Sequence, residues 1–186
     1  MDRKLLTIFT VLGLLIIMYL INNGVQRSYN ANQSELFLSD QGNIQKIIIS
    51  AEQDAIELIK TDTTWSISGN DTLQMKQNSI KNLFSKLIKI KKEHLVTSKE
   101  NNWVNYGVTP ENGIHLALIN AQGETEAYFV FGKSETEYNR CYVRTDKNDD
   151  VYLLSENIMY QLRVNPTFWG EVPEPLPTTN NIQGAN

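Results

Sequence analysis

The chain has 186 residues, and its 17 basic side chains against 21 acidic ones leave a formal net charge of −4. A nucleic-acid binder carries a basic face, so this balance excludes that class, and it gives anionic lipid headgroups little to attract. Cys141 is the only cysteine, so no intramolecular disulfide staples the fold.

Asp2-Arg3-Lys4 leads into Leu5–Ile21, a stretch of 17 residues with no charged side chain. As a helix it spans about 26 Å at roughly 1.5 Å per residue, against a hydrocarbon core of about 30 Å. Arg3, Lys4 and the amino group precede the stretch, only Arg27 follows it closely, and Glu35 and Asp40 come next. That order predicts a cytoplasmic N-terminus and an exported remainder. No small-x-small site follows Ile21, which favours an uncleaved signal-anchor (residues 1–21) over a removed leader. The expectation is a single-pass membrane protein, touching the lipid bilayer through residues 5–21 and exposing its C-terminal domain to the periplasm or the cell exterior. Residues 22–34, rich in Asn, Gln and Ser, read as a polar tether.

The folded domain is expected over residues 35–171. Leu36-Phe37-Leu38 begins it, and Ile44–Ser50, Ala55–Lys60 and Thr64–Ser68 follow as strands. Alternation of Ile56 with Leu58, and of Trp65 with Ile67, marks half-buried strands. The period then changes. Ile80, Leu83, Phe84, Leu87 and Ile88 recur at three- and four-residue spacing, predicting an amphipathic helix from about Asn78 to Lys92 with Asn78 or Ser79 as cap. Lys86, Lys89, Lys91 and Lys92 read as a solvated face at its end. His94–Ser98 returns to extended structure.

The second part repeats the plan. Ile114–Asn120 and Thr125–Phe131 alternate, Arg140–Thr145 and Val151–Leu154 read as a hairpin across an Asp-rich turn, and Ser155–Val164 reads as a second helix. Strands grouped before a helix, twice, predict an α+β domain with largely antiparallel pairing and two helices, built as two similar halves at about 35–98 and 106–171. Residues 172–186, with Pro173, Pro175 and Pro177, read as a disordered tail.

Tests for chemistry point away from catalysis. Gly132-Lys133-Ser134 ends like a phosphate-binding loop, but Ala127 stands where that motif needs glycine. His94 and His115 fall in no metal-ligand spacing, and His115 is expected at a surface or sheet-edge position. Asp146, Asp149 and Asp150 lack the glycine and glutamate of a calcium loop. Cys141 lies in a strand and reads as a buried, inert thiol. No catalytic, metal or cofactor-binding residue is assigned. The remaining candidates are aromatic and arginine side chains of the kind that anchor protein contacts: Trp103, Tyr106, Tyr142, Arg144 and Trp169.

The order of several elements carries a resemblance. Ile47-Ile48-Ile49, Ile56–Lys60 and Trp65-Ser66-Ile67 are followed by the Ile80–Ile90 helix and Val96-Thr97-Ser98. Then come Tyr106-Gly107-Val108-Thr109-Pro110, Phe131-Gly132, Tyr142-Val143-Arg144 and Val151–Leu154. Over about residues 36–171 this series resembles the DUF4340 family. The resemblance implies an exported domain behind one N-terminal membrane helix, with some members similar to auxiliary components of ABC-2 type and gliding-associated exporters. It implies no catalytic residues. Asn165–Gly170 departs from the acidic–arginine pattern common after the family's last helix. The expected function is a membrane-anchored, extracytoplasmic interaction module, an accessory component of an envelope transport or motility complex with an envelope protein as partner. The alternatives are a ligand-binding or sensing domain and a cell-envelope hydrolase.

Overall fold

In the computed structural model, residues 12–19, 34–37 and 40–173 are described. Most of the tether and of the C-terminal tail, and Leu38, lie outside them, as do residues 5–11, 20 and 21 of the apolar stretch. Leu12 to Tyr19 are helical, but among the described residues no helix is long and apolar enough to cross a membrane. The expected N-terminal transmembrane helix is therefore not shown, and the described piece exposes its apolar side chains.

The domain is mainly β. Its strands are β1 (Ser34–Glu35), β2 (Ile44–Ala51), β3 (Asp54–Thr61), β4 (Thr64–Ile67), β5 (Gln74–Met75), β6 (Lys91–Thr97), β7 (Ile114–Asn120), β8 (Thr125–Lys133), β9 (Cys141–Thr145), β10 (Val151–Leu154) and β11 (Gly170–Glu171). Nine of them form one antiparallel sheet in the order β1-β6-β10-β9-β8-β7-β2-β3-β4, and β5 pairs with β11 alone. The helices are α1 (Gln77–Lys89) and the single turn α2 (Pro166–Trp169).

This corrects both the α+β class and the expected duplication. The short second helix expected over Ser155–Val164 is not formed: the segment holds only a 3-10 turn at Met159–Gln161, and Pro166 starts a separate turn beyond it. The halves do not repeat in space either. After β4, at one edge of the sheet, α1 carries the chain to β6 near the opposite edge, so β7–β10 fill the space between. Alternation along a strand fixes which side chains share a face and is silent on strand order.

One face of the sheet is the core. Ile47 and Ile49 of β2, Leu116 and Leu118 of β7, Phe129 and Phe131 of β8, and Val143 of β9 all point to it. Ile80, Leu83, Phe84 and Leu87 of α1 cover them, with Ile158, Leu162 and Trp169 closing the far side. Each such burial is worth about 1.5–3 kcal/mol. Neither Asn78 nor Ser79 caps α1. Lys76 holds that position without a side-chain cap, and its backbone N–H instead donates to Trp169 O at 2.8 Å. Tertiary pairing of β5 with β11 thus fixes the helix entry that a local cap was expected to set. Cys141 is fully buried on the core face, and burial pushes its thiol up to about 11.

Both edges of the sheet resist further pairing. At β4 the Gln77 side chain donates from Nε2 to Trp65 O at 3.1 Å, and its Oε1 faces Trp65 N at 3.5 Å. The amide thereby stands in for a neighbouring strand. At the opposite edge the terminal strand is β1, only two residues long, which covers Lys91 and Lys92 of β6, and β6 meets β10 with two register irregularities.

Candidate functional site

The back face of the sheet is only half covered, and the half-cover is built from the family-like motif. Beyond β6 the chain forms a 3-10 segment, Glu100–Tyr106, and runs on through Gly107 to Pro110 as a strap over β8, β9 and β10. Val108 of the strap and Val130 and Val151 beneath it are fully buried. Gly107 takes φ +61, a left-handed conformation that favours glycine. Gly132 allows the contact itself: a Cβ there would lie 1.8 Å from Tyr106 O and 2.9 Å from Gly107 O. The glycine of Gly132-Lys133-Ser134 therefore serves close backbone approach.

Four of the five contact candidates gather at this strap. The Arg144 guanidinium carbon lies 3.9 Å from the centre of the Trp103 ring, and Arg144 Nε donates to Val108 O at 3.2 Å. Trp103 Nε1 donates to Asp149 O at 3.0 Å, in the β9–β10 turn. Tyr106 meets Tyr142 edge to face, with ring centres 4.9 Å apart. These side chains are half-buried, and they hold the strap to the sheet. Trp169 belongs elsewhere. It is fully buried in the core and donates from Nε1 to Arg163 O at 2.6 Å.

The strap ends at Pro110, where sequence reasoning missed a second feature. His115 lies on β7, an interior strand between β8 and β2, so of the expected surface or edge positions the edge is excluded, and the half-buried ring sits on the partly open back face. Both ring nitrogens are engaged. Nε2 is 2.9 Å from Pro110 O, which only accepts, so Nε2 carries the proton in the neutral ring. Nδ1 then accepts from the Tyr128 hydroxyl at 2.6 Å. With both nitrogens used, the imidazole offers no free lone pair to a metal or to a proton in transfer.

Beside this pair is a shallow depression of about 360 Å³, lined by Ile48, Ser50, Glu52, Pro110, His115, Ala117 and Tyr128. Strand register explains the grouping. Ile48 is directly opposite Ala117, Ala117 opposite Tyr128, and Ser50 opposite His115. Farther along the same face, Lys46 pairs with Ile59 and Ile119, and its ammonium contacts Glu57. That contact, mainly a hydrogen bond, holds the Glu57 carboxyl below its usual range. The half of the back face formed by β3, β2 and β7 thus presents Ile48, Ile59, Ala117 and Ile119, all half-buried, with no covering element among the described residues. No signal in the sequence alone distinguishes these outward residues from ordinary strand alternation.

Residues 65–171 match the family described as a domain of unknown function (DUF4340). The match begins at Trp65 in β4, later than the residue 36 expected from the sequence, and it includes the strap, Gly132 and the Arg144 strand. Comparison with curated proteins and with solved structures gave no match.

Proposed function

The chain belongs to the DUF4340 family, and on that premise we propose that it is a non-enzymatic, extracytoplasmic module that binds a protein partner in an envelope transport or motility complex. One observation carries the reading: the half-open back face, where Ile48, Ile59, Ala117 and Ile119 surround the Lys46–Glu57 ion pair on the sheet beside the strap. Apolar side chains left uncovered beside charged ones are characteristic of interaction sites. The Gln77 amide at the β4 edge and the two-residue length of β1 at the other favour docking on the face over strand addition at an edge.

Placement outside the cytoplasm is supported by the charge order around residues 5–21, and contact with the bilayer by the apolar character of that stretch. Holding the domain beside the membrane would raise its effective concentration near a membrane partner. The test is in-cell crosslinking of the full chain in its native membrane, read by mass spectrometry. Repeated recovery of one envelope protein supports the proposal. Recovery of no protein partner from cells containing the folded chain sinks it.

A further inference from the structure

The depression beside His115 has a hydrogen-bonding character that selects its occupant. The Tyr128 hydroxyl spends its proton on His115 Nδ1, so its oxygen faces the depression with acceptor capacity alone. The His115 Nε2 proton is spent on Pro110 O. Glu52 contributes a carboxylate, and none of the ion pairs among the described residues involves it. Glu52 sits at the exposed tip of the β2–β3 hairpin with φ +55, so the turn holds it at the rim. The floor is aliphatic, from Ile48 and Ala117, and Pro110 walls one side. Apart from the Ser50 hydroxyl, the lining side chains have no proton left to donate.

An acceptor-rich rim with one carboxylate, an aromatic ring and an aliphatic floor complements a long cationic side chain. Its stem lies on apolar surface while its head group donates to oxygen and meets the ring face. We infer that this depression receives a lysine or arginine side chain of the protein partner, stem along Ile48 and Ala117, cation between Glu52 and Tyr128. The inference rests on the proposed partner-binding function and names the chemistry that would be recognised there. A neutral aliphatic side chain fills the floor but leaves the carboxylate rim unanswered. An acidic one is repelled by Glu52.

The test uses the full-length chain and three probes: N-acetyl-arginine amide, N-acetyl-lysine amide and N-acetyl-norleucine amide. Backbone amide shifts of Ile48, Glu52 and Ala117 are followed by NMR during titration. Saturable shifts at these residues with the two basic probes, and none with the norleucine probe at equal concentration, are expected. Glu52→Gln keeps the exposed turn and should weaken the basic probes about fivefold, as expected for loss of a charge-assisted contact. Tyr128→Phe, which removes the acceptor oxygen together with its hydrogen bond to His115 Nδ1, should also weaken them. Equal response to norleucine, shifts scattered over the surface, or insensitivity to Glu52→Gln would each overturn the inference. Crosslinking that still recovers a partner in that event leaves the interaction reading standing, whereas probe binding without any partner in cells separates the two the other way.

Discussion

Gly132→Ala is the substitution that most directly probes how the back face is organised. The new methyl carbon would start 1.8 Å from Tyr106 O, and ordinary contact requires about 3.4 Å, so the strap must retreat by roughly 1.6 Å. Backbone lies on both sides of the clash, and no side chain can rotate away from it. Forced overpacking of this kind costs about 1–3 kcal/mol. Retreat also breaks the Arg144–Trp103 contact, worth about 0.5–1 kcal/mol, and the Arg144–Val108 hydrogen bond, worth about 1 kcal/mol. The expected loss is about 3 kcal/mol, or a Tm lower by about 6–12 °C for a domain of this size. Gly123→Ala is the control. A Cβ there meets nothing within 4 Å, so only its positive φ is penalised, at about 1–2 kcal/mol. Urea unfolding gives the free energies, and limited proteolysis between Glu100 and Pro110 reports strap release. A Gly132→Ala protein as stable as the Gly123→Ala control, with the strap still protected, would refute the reasoning.

Other expectations concern the core, the sheet edge and the Lys46–Glu57 ion pair on the open face. Cys141, with its thiol pushed up to about 11 from an ordinary 9.0, should have a thiolate fraction about 100-fold lower than an exposed cysteine at neutral pH. Alkylation by iodoacetamide should therefore track global unfolding, and fast labelling of the native protein would contradict the burial. Gln77→Ala removes the amide that occupies the β4 edge and should raise the aggregation rate on mild heating, read by light scattering, while lowering stability by about 1 kcal/mol. Glu57 has a lowered carboxyl pKa, so its contribution is fully present above the ordinary value of 4.5 and is lost as pH falls through the folded value. The pair is about one-third exposed, so the loss should stay below about 1 kcal/mol, and Lys46→Met should abolish that part of the acid limb in urea unfolding.

Much of the sheet is legible in the sequence because period-two alternation is a local signal. Ile47 and Ile49 against Ile48, and Phe129 and Phe131 against Val130, separate the two faces without reference to any neighbour. The main helix is legible for the same reason, through Ile80, Leu83, Phe84 and Leu87. What escaped is non-local. The placement of β6 beyond β10 depends on α1 crossing the core, and this is why the apparent repeat does not become a duplicated structure. The pattern of Ile158, Met159 and Leu162 suggests a helix, yet the segment needs only one turn to lay Ile158 and Leu162 into the core before Pro166 redirects the chain. Among the contact candidates, aromatic and arginine content located the strap through Trp103, Tyr106, Tyr142 and Arg144, whereas Trp169 has the same composition and a core position. The His115–Tyr128 pair lies thirteen residues apart across a hairpin, and only the register of β7 against β8 joins it.

The central claim is that the open half of the back face is where a partner binds. The most direct measurement places a photo-crosslinking amino acid at Ile48 of the full chain in its native membrane, with Lys81 on the exposed side of α1 as the control position. A discrete protein adduct from position 48 and none from position 81 is the expected result. Adducts from neither position, or from position 81 alone, with the domain folded, would contradict the claim.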